Sequence, residues 1–189
     1  MKYLVLLSGC GLGDGSQIEE VILSYLVLDK YKIEHQPIAI DMQVPCMNHL
    51  TEDKEGQHNV LVESARIGRG VIKDLTDVDI NEYDGLIIPG GIGLIINYGS
   101  CELIPELINH FVTKRKPIAG MCSALMLFQK NISPNIFKDI EVLTEATGYC
   151  YDSEFNIFYT PAFRRSKDLN EILQGIDSMI KALINVDKE

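Results

Sequence analysis

Lys116-Pro117-Ile118-Ala119-Gly120-Met121-Cys122-Ser123-Ala124-Leu125-Met126 reads as a buried strand that breaks at once into a helix, with a cysteine at the break. Gly120 and Ala124 stand two residues on either side of Cys122. That is the spacing of a nucleophile elbow, in which only small side chains let strand and helix fold back on each other. A helix starting at Ser123 aims its free N–H groups and its positive dipole end at the sulfur, which favours thiolate over thiol. The competing reading is a plain buried cysteine, because free cysteines often serve as small core hydrophobes.

Apolar runs and helical stretches alternate outward from this elbow. Tyr3 to Leu7, Ile33 to Ile40 and Gly85 to Pro89 read as strands, the last hydrophobic without a break, as when both faces of a sheet are covered. A strand near Ile140 to Leu143 and a hairpin joining Tyr149-Cys150-Tyr151 to Ile157-Phe158-Tyr159 follow the elbow. Ser16-Gln17-Ile18-Glu19 has the form of a capping box, predicting a helix that runs to about Lys30. From Met42 to Gly70 the pattern is a polar, histidine-bearing loop and then a helix over roughly His58 to Ile67, ended by Gly68 or Gly70. Helices are also predicted near Cys101 to Lys114 and from about Ser166 to Ile184, the last with core-facing Ile172, Ile176, Met179, Ile180 and Leu183. This order predicts an α/β fold: a three-layer, flavodoxin-like sandwich whose mostly parallel sheet carries helices on both faces. No repeat or linker interrupts it, so residues 1–189 are read as one domain.

Composition bounds the setting. The chain is 46% hydrophobic and 23% charged, ordinary for a globular domain, and its net charge of −10 argues against nucleic acid and anionic membranes as partners. No apolar run reaches the ~20 residues of a membrane span. The apolar start at Tyr3 to Leu7 gives way directly to glycines and Asp14, unlike a secretory signal, so a cytoplasmic location is expected. Five cysteines without a C-x-x-C pair give neither a disulfide framework nor a zinc ribbon.

Sites in such sheets form beyond the carboxyl ends of the strands. Three glycine-bearing loops converge there: Ser8 to Gly15, Gly90 to Gly93, and the elbow. The first fails as a dinucleotide fingerprint, because the third glycine of G-x-G-x-x-G falls on Asp14 or on Ser16 in the two possible registers. No nucleotide cofactor is expected, and none of another kind.

The strings S-G-C-G-x-x-D-G-S at 8–16, N-H-L-T at 48–51, N-V-L-V-E-S-A-R-I-G-R-G at 59–70, I-I-P-G-G-I-G at 87–93, G-M-C at 120–122 and T-P-A at 160–162 resemble the ElbB family. That family is a branch of the ThiJ/PfpI group in the class I glutamine amidotransferase-like superfamily. The resemblance runs in order over nearly the whole chain. It implies a reactive elbow cysteine, a nearby glutamate on the first helix, usually a homodimer, an association with isoprenoid biosynthesis, and a cofactor-independent glyoxalase activity turning glyoxal into glycolate. Carried over, the nucleophile falls on Cys122 and the glutamate on Glu20. Helical spacing favours Glu20 over Glu19 if Ile18, Val21 and Ile22 face the core. Backbone N–H groups of Gly91 and Ser123 are the expected oxyanion donors, and Gly11, Asp14, Gly90, Ile92, His49 and Thr160 are candidate pocket residues.

The chain also departs from that pattern. It is shorter than the family between Gly93 and Cys122 and between Cys122 and Tyr159, and Ser123-Ala124-Leu125 replaces an apolar, proline-containing run. All four histidines, His35, His49, His58 and His110, precede Cys122, whereas glutaminases and peptidases of the superfamily draw theirs from after the cysteine. Glutamine hydrolysis is therefore disfavoured. Cys46, His49 and His58 supply only three metal ligands, so no metal site is assigned. The expected activity acts on small 2-oxoaldehydes through a cysteine hemithioacetal; the alternative is a non-catalytic, redox-sensing protein, with amidase or protease action behind both.

Overall fold

The computed structural model describes residues 1–138 and 145–186. Its main sheet has seven strands: β1 (Lys2–Leu6), β2 (Glu34–Ala39), β5 (Lys73–Asp74), β6 (Gly85–Ile88), β7 (Ile118–Met121), β8 (Cys150–Asp152) and β9 (Ile157–Thr160). They lie in the order β5-β2-β1-β6-β7-β9-β8, parallel throughout except where β8 runs against β9. This is the predicted mostly parallel α/β sandwich. The strand expected near Ile140 to Leu143 lies outside the described residues.

Strand pleating sorts the core into two layers. Leu4, Leu6, Leu86, Ile88 and Ile118 pack on one face with α4 (Leu103–Thr113) and α5 (Ala124–Asn131), through Ile104, Leu107, Phe111 and Phe128. Tyr3, Val5, Leu7, Ile87, Ala119 and Met121 point the other way, onto α1 (Ile18–Lys30) and α6 (Leu169–Leu183). Ile172, Ile176, Met179, Ile180 and Leu183 of α6 are all buried, each contributing about 1.5–3 kcal/mol of apolar burial.

Several local expectations change. Ser16 does not cap α1, because its hydroxyl turns inward to accept the Ser8 N–H at 2.8 Å; Gln17 takes the cap position and accepts from Glu19 N at 3.4 Å. The polar stretch after Met42 is not a loop but a two-stranded antiparallel sheet, β3 (Gln43–Met47) with β4 (Lys54–Asn59). Asn59 then caps α2 (Val60–Ile67), accepting from Val62 N at 3.0 Å. A one-turn helix, α3 (Gly93–Ile96), follows the second glycine loop.

Chain order places the site. From β1 the chain moves outward to β2 and β5, then returns to β6 on the other side of β1. The loops after β1 and β6 part at this reversal, opening a crevice at the strand ends. Gln17 N donates to Gly90 O at 2.8 Å and Gly93 N to Gly15 O at 3.1 Å, so the two loops are bonded to each other beneath it.

Candidate active site

Cys122 occupies the sharp turn between β7 and α5 with φ of +48°, a left-handed conformation that costs a non-glycine residue on the order of 1–3 kcal/mol. The neighbouring strand holds it there. Cys122 N donates to Thr160 O at 3.1 Å, and the buried Tyr159 hydroxyl donates to Cys122 O at 2.9 Å. Gly120 is required by contact: a Cβ there would stand 2.5 Å from the Phe128 ring and 2.9 Å from Ala124 Cβ. The small-residue spacing read from the sequence therefore has a packing cause on α5.

Glu20 lies beside the sulfur, fully buried in the first turns of α1. The helix buries Glu20, Val21, Ser24, Val27 and Leu28, while Ile18 and Ile22 are 41% and 47% exposed, contrary to the expectation that they face the core. Glu20 Oε2 accepts the Gly90 N–H at 2.6 Å. Oε1 is buried without a partner of good hydrogen-bond geometry among the described residues, although the Cys122 thiol and the Phe163 N–H are near enough to favour the charged form. Burial outweighs these donors and pushes the Glu20 carboxyl up to about 7.

The thiol shifts the same way. Burial first, and then the negative charge of Glu20, push Cys122 up to about 12, against weaker help from the Ser123 N–H and the Arg164 guanidinium. The expected preference for thiolate is thus overturned: the helix N-terminus does reach the sulfur, but desolvation beside a carboxylate is the larger effect. Near neutral pH the pair holds a thiol and a carboxyl group poised between its two charge states.

The predicted residues divide into two places. Gly90 lines the Cys122–Glu20 pair, since a Cβ on it would lie 2.7 Å from both Cys122 Cβ and Glu20 Oε2. The Gly91 N–H is not free for an oxyanion: it donates to Ser123 Oγ at 2.8 Å, and that hydroxyl returns a bond to Gly91 O at 2.8 Å. Ile92 is half exposed and donates its N–H to Leu12 O at 2.8 Å. Thr160 does not face the cleft; it is fully buried and its hydroxyl donates to Gly148 O at 2.8 Å. Gly11, Asp14 and His49 gather instead against the β3–β4 sheet. The His49 ring packs on Gly11 and its Nε2 accepts from Gly13 N at 3.1 Å.

The cleft over Cys122 has a volume of about 500 Å³ and is lined by Ser123, Leu125, Met126 and Gln129 with Lys138, Arg164 and Arg165. The three cations were absent from the sequence-based site. Their signal was present all the same: the Arg164-Arg165 pair directly follows T-P-A-F at the carboxyl end of β9, where such sheets place binding groups. None of the four histidines lines this cleft.

An elbow cysteine over a buried helix-1 glutamate, on this sheet order, meets a family model over residues 12–135: the DJ-1/PfpI family. The chain belongs to the DJ-1/PfpI family. It is 28% identical to the rat ES1 protein homolog, mitochondrial, over 98% of this chain and 84% of that one, and 28% identical to the human glutamine amidotransferase-like class 1 domain-containing protein 3, mitochondrial, over 98% and 83%. Among solved structures it is similar to an isoprenoid biosynthesis protein with an amidotransferase-like domain from Ehrlichia chaffeensis, with a TM-score of 0.89 and 26% identity over 98% of each chain. These comparisons overturn the cytoplasmic assignment, since the rat and human relatives are named mitochondrial. That assignment rested on finding no membrane-length apolar run and no secretory-signal pattern, and neither observation separates the cytoplasm from the mitochondrion.

Proposed function

We propose that this DJ-1/PfpI protein is an ElbB-like, cofactor-independent glyoxalase acting on small 2-oxoaldehydes. The observation that carries this reading is the contact between a half-buried thiol and a fully buried carboxyl group that burial pushes up to about 7. A protonated thiol cannot attack unaided, so ionised Glu20 takes the Cys122 proton as Sγ adds to the aldehyde carbon. Protonated Glu20 returns that proton to the alkoxide, which becomes a hemithioacetal, and Glu20 is a carboxylate again. Glu20 then moves a proton from that carbon to the neighbouring carbonyl carbon, through an enediol. The first carbon is oxidised to a thioester as the second is reduced to an alcohol, and no outside oxidant is needed. Water cleaves the thioester, releasing the 2-hydroxy acid and restoring the thiol. The Ser123 N–H, which faces the sulfur, is the nearest backbone donor for the alkoxide.

Amide hydrolysis has less support, because no histidine stands at the cleft to protonate a leaving amine. A redox-sensing role is also weaker, since oxidation proceeds through a thiolate that this environment disfavours.

The test is glycolate formation from glyoxal by the purified protein. Cys122→Ser should yield none, and Glu20→Gln should lower kcat by about 10²- to 10⁴-fold. In the parent, kcat should rise with pH through a midpoint near 7 as Glu20 becomes the base. Turnover that survives Cys122→Ser, or a flat pH profile, would rule the mechanism out.

A further inference from the structure

The β3–β4 sheet folds over the loop that follows β1 and brings together three residues of different chemistry. The Asp14 carboxylate, the Cys46 sulfur and a ring nitrogen of His58 lie within 4.8 Å of one another. Asp14 is nearly fully buried, and its Oδ1 has no hydrogen-bond partner among the described residues, although His49 Nε2 stands 3.6 Å from it; His58 Nε2 is likewise buried without a hydrogen-bond partner among them. His58 Nδ1 stands 3.9 Å from Asp14 Oδ2, too far for a hydrogen bond. It is close, however, to the ~3.2–3.8 Å that separates two ligands on one tetrahedral metal with bonds of about 2.0–2.3 Å. Cys46 sits where the β3–β4 ladder shifts register between Pro45 and Met47, a bulge of the kind that re-aims a side chain. Oδ2 of Asp14 accepts the Met47 N–H at 2.7 Å, which fixes the carboxylate beside Cys46.

We infer that Asp14, Cys46 and His58 form a binding site for a divalent transition metal, with Zn²⁺ the best match. One thiolate, one imidazole and one carboxylate make a borderline-soft set that suits Zn²⁺ rather than Mg²⁺ or Ca²⁺. Cys46, His49 and His58 alone fell short in the sequence because the third usable ligand, Asp14, comes from a loop 32 residues before Cys46. His49 is not that ligand: its Nε2 is held by Gly13 N–H and its Nδ1 faces Met47 O at 3.2 Å. The fourth position is left to water. Binding replaces the Cys46 thiol proton by the metal, so one proton is released and affinity falls as pH is lowered. The bound ion would clamp the β3–β4 sheet onto the loop that leads into α1. This inference is independent of the chemistry proposed for Cys122.

Titration of the purified chain with Co²⁺ tests it, because a thiolate ligand gives a sulfur-to-cobalt charge-transfer band that Zn²⁺ then bleaches. One equivalent should bind to the parent and equally to Cys122→Ser. Cys46→Ser and Cys46→Ala should both lose the band. His58→Gln should weaken binding by about 100-fold or more. Far-UV circular dichroism confirms that each variant is folded, and excess Zn²⁺ should raise the melting temperature of the parent but not of Cys46→Ala. The site is refuted if the parent shows no band, if the band persists in Cys46→Ala, if it vanishes in Cys122→Ser, or if His58→Gln leaves affinity unchanged.

Discussion

Glu20 carries a cost that shows in stability as well as in chemistry. Its carboxyl is pushed up to about 7 mainly by burial, against an ordinary value of 4.5. A carboxyl group whose folded value lies above its unfolded one binds more protons when folded, so its contribution is fully present below about 4.5 and is lost as pH rises through about 7. A shift of that size corresponds to roughly 3 kcal/mol between the two limits. Glu20→Gln keeps an oxygen for the Gly90 N–H and removes the buried charge. It should therefore melt several degrees above the parent at pH 8, with the difference shrinking toward zero at pH 4. Thermal melts across that range check this, and a pH-independent difference would show that the Glu20 carboxyl ionises in the fold at its ordinary value. The sequence held the identity of this residue only through family resemblance. The core-facing pattern offered for it was misread, because α1 carries apolar residues on its exposed face too, as at Ile18, Ile22 and Leu26.

The elements were more legible than the site. Unbroken runs such as Gly85-Leu86-Ile87-Ile88 became buried parallel strands, since covering both sheet faces leaves no polar alternation. The Ser16 cap failed because a tertiary bond to Ser8 N won over a local one, and β3–β4 was missed because both strands are short, β3 carries a proline and β4 is polar and largely solvent-facing. What sequence spacing did not convey is how closely the elements approach at the site. Gly90, two residues past the end of β6, is a point of close approach between the β6 loop, α1 and the elbow. A methyl group there would be 2.7 Å from Cys122 Cβ and 3.1 Å from Met121 O. Gly90→Ala should cost about 1–3 kcal/mol in overpacking, read by denaturant melts, and should displace Glu20 enough to cut turnover well beyond the loss of stability. An unchanged melt with unchanged turnover would mean that the elbow yields more readily than its hydrogen bonds to Thr160 and Tyr159 imply.

At the scale of the whole molecule, the charge of −10 and the cleft have opposite signs. Lys138, Arg164 and Arg165 line the space over Cys122, and no acidic residue joins them among the described lining residues. A small cationic cleft in an anionic protein holds a local field that selects among substrates rather than drawing them from a distance. On the proposed glyoxalase reading, the 2-oxoaldehydes expected to suit it best carry a carboxylate away from the reacting carbons, as 4,5-dioxopentanoate does. Its kcat/KM should exceed that of neutral methylglyoxal by about 10-fold at low salt, the equivalent of one well-placed charged contact of ~1.4 kcal/mol. The advantage should shrink as salt approaches 1 M, where screening acts within about 3 Å, while methylglyoxal turnover stays constant. Lys138→Ala, which leaves Cys122 and Glu20 untouched, should raise KM for the charged substrate alone. Equal kcat/KM values for the two aldehydes at every salt concentration would show that these cations serve the surface and not the substrate.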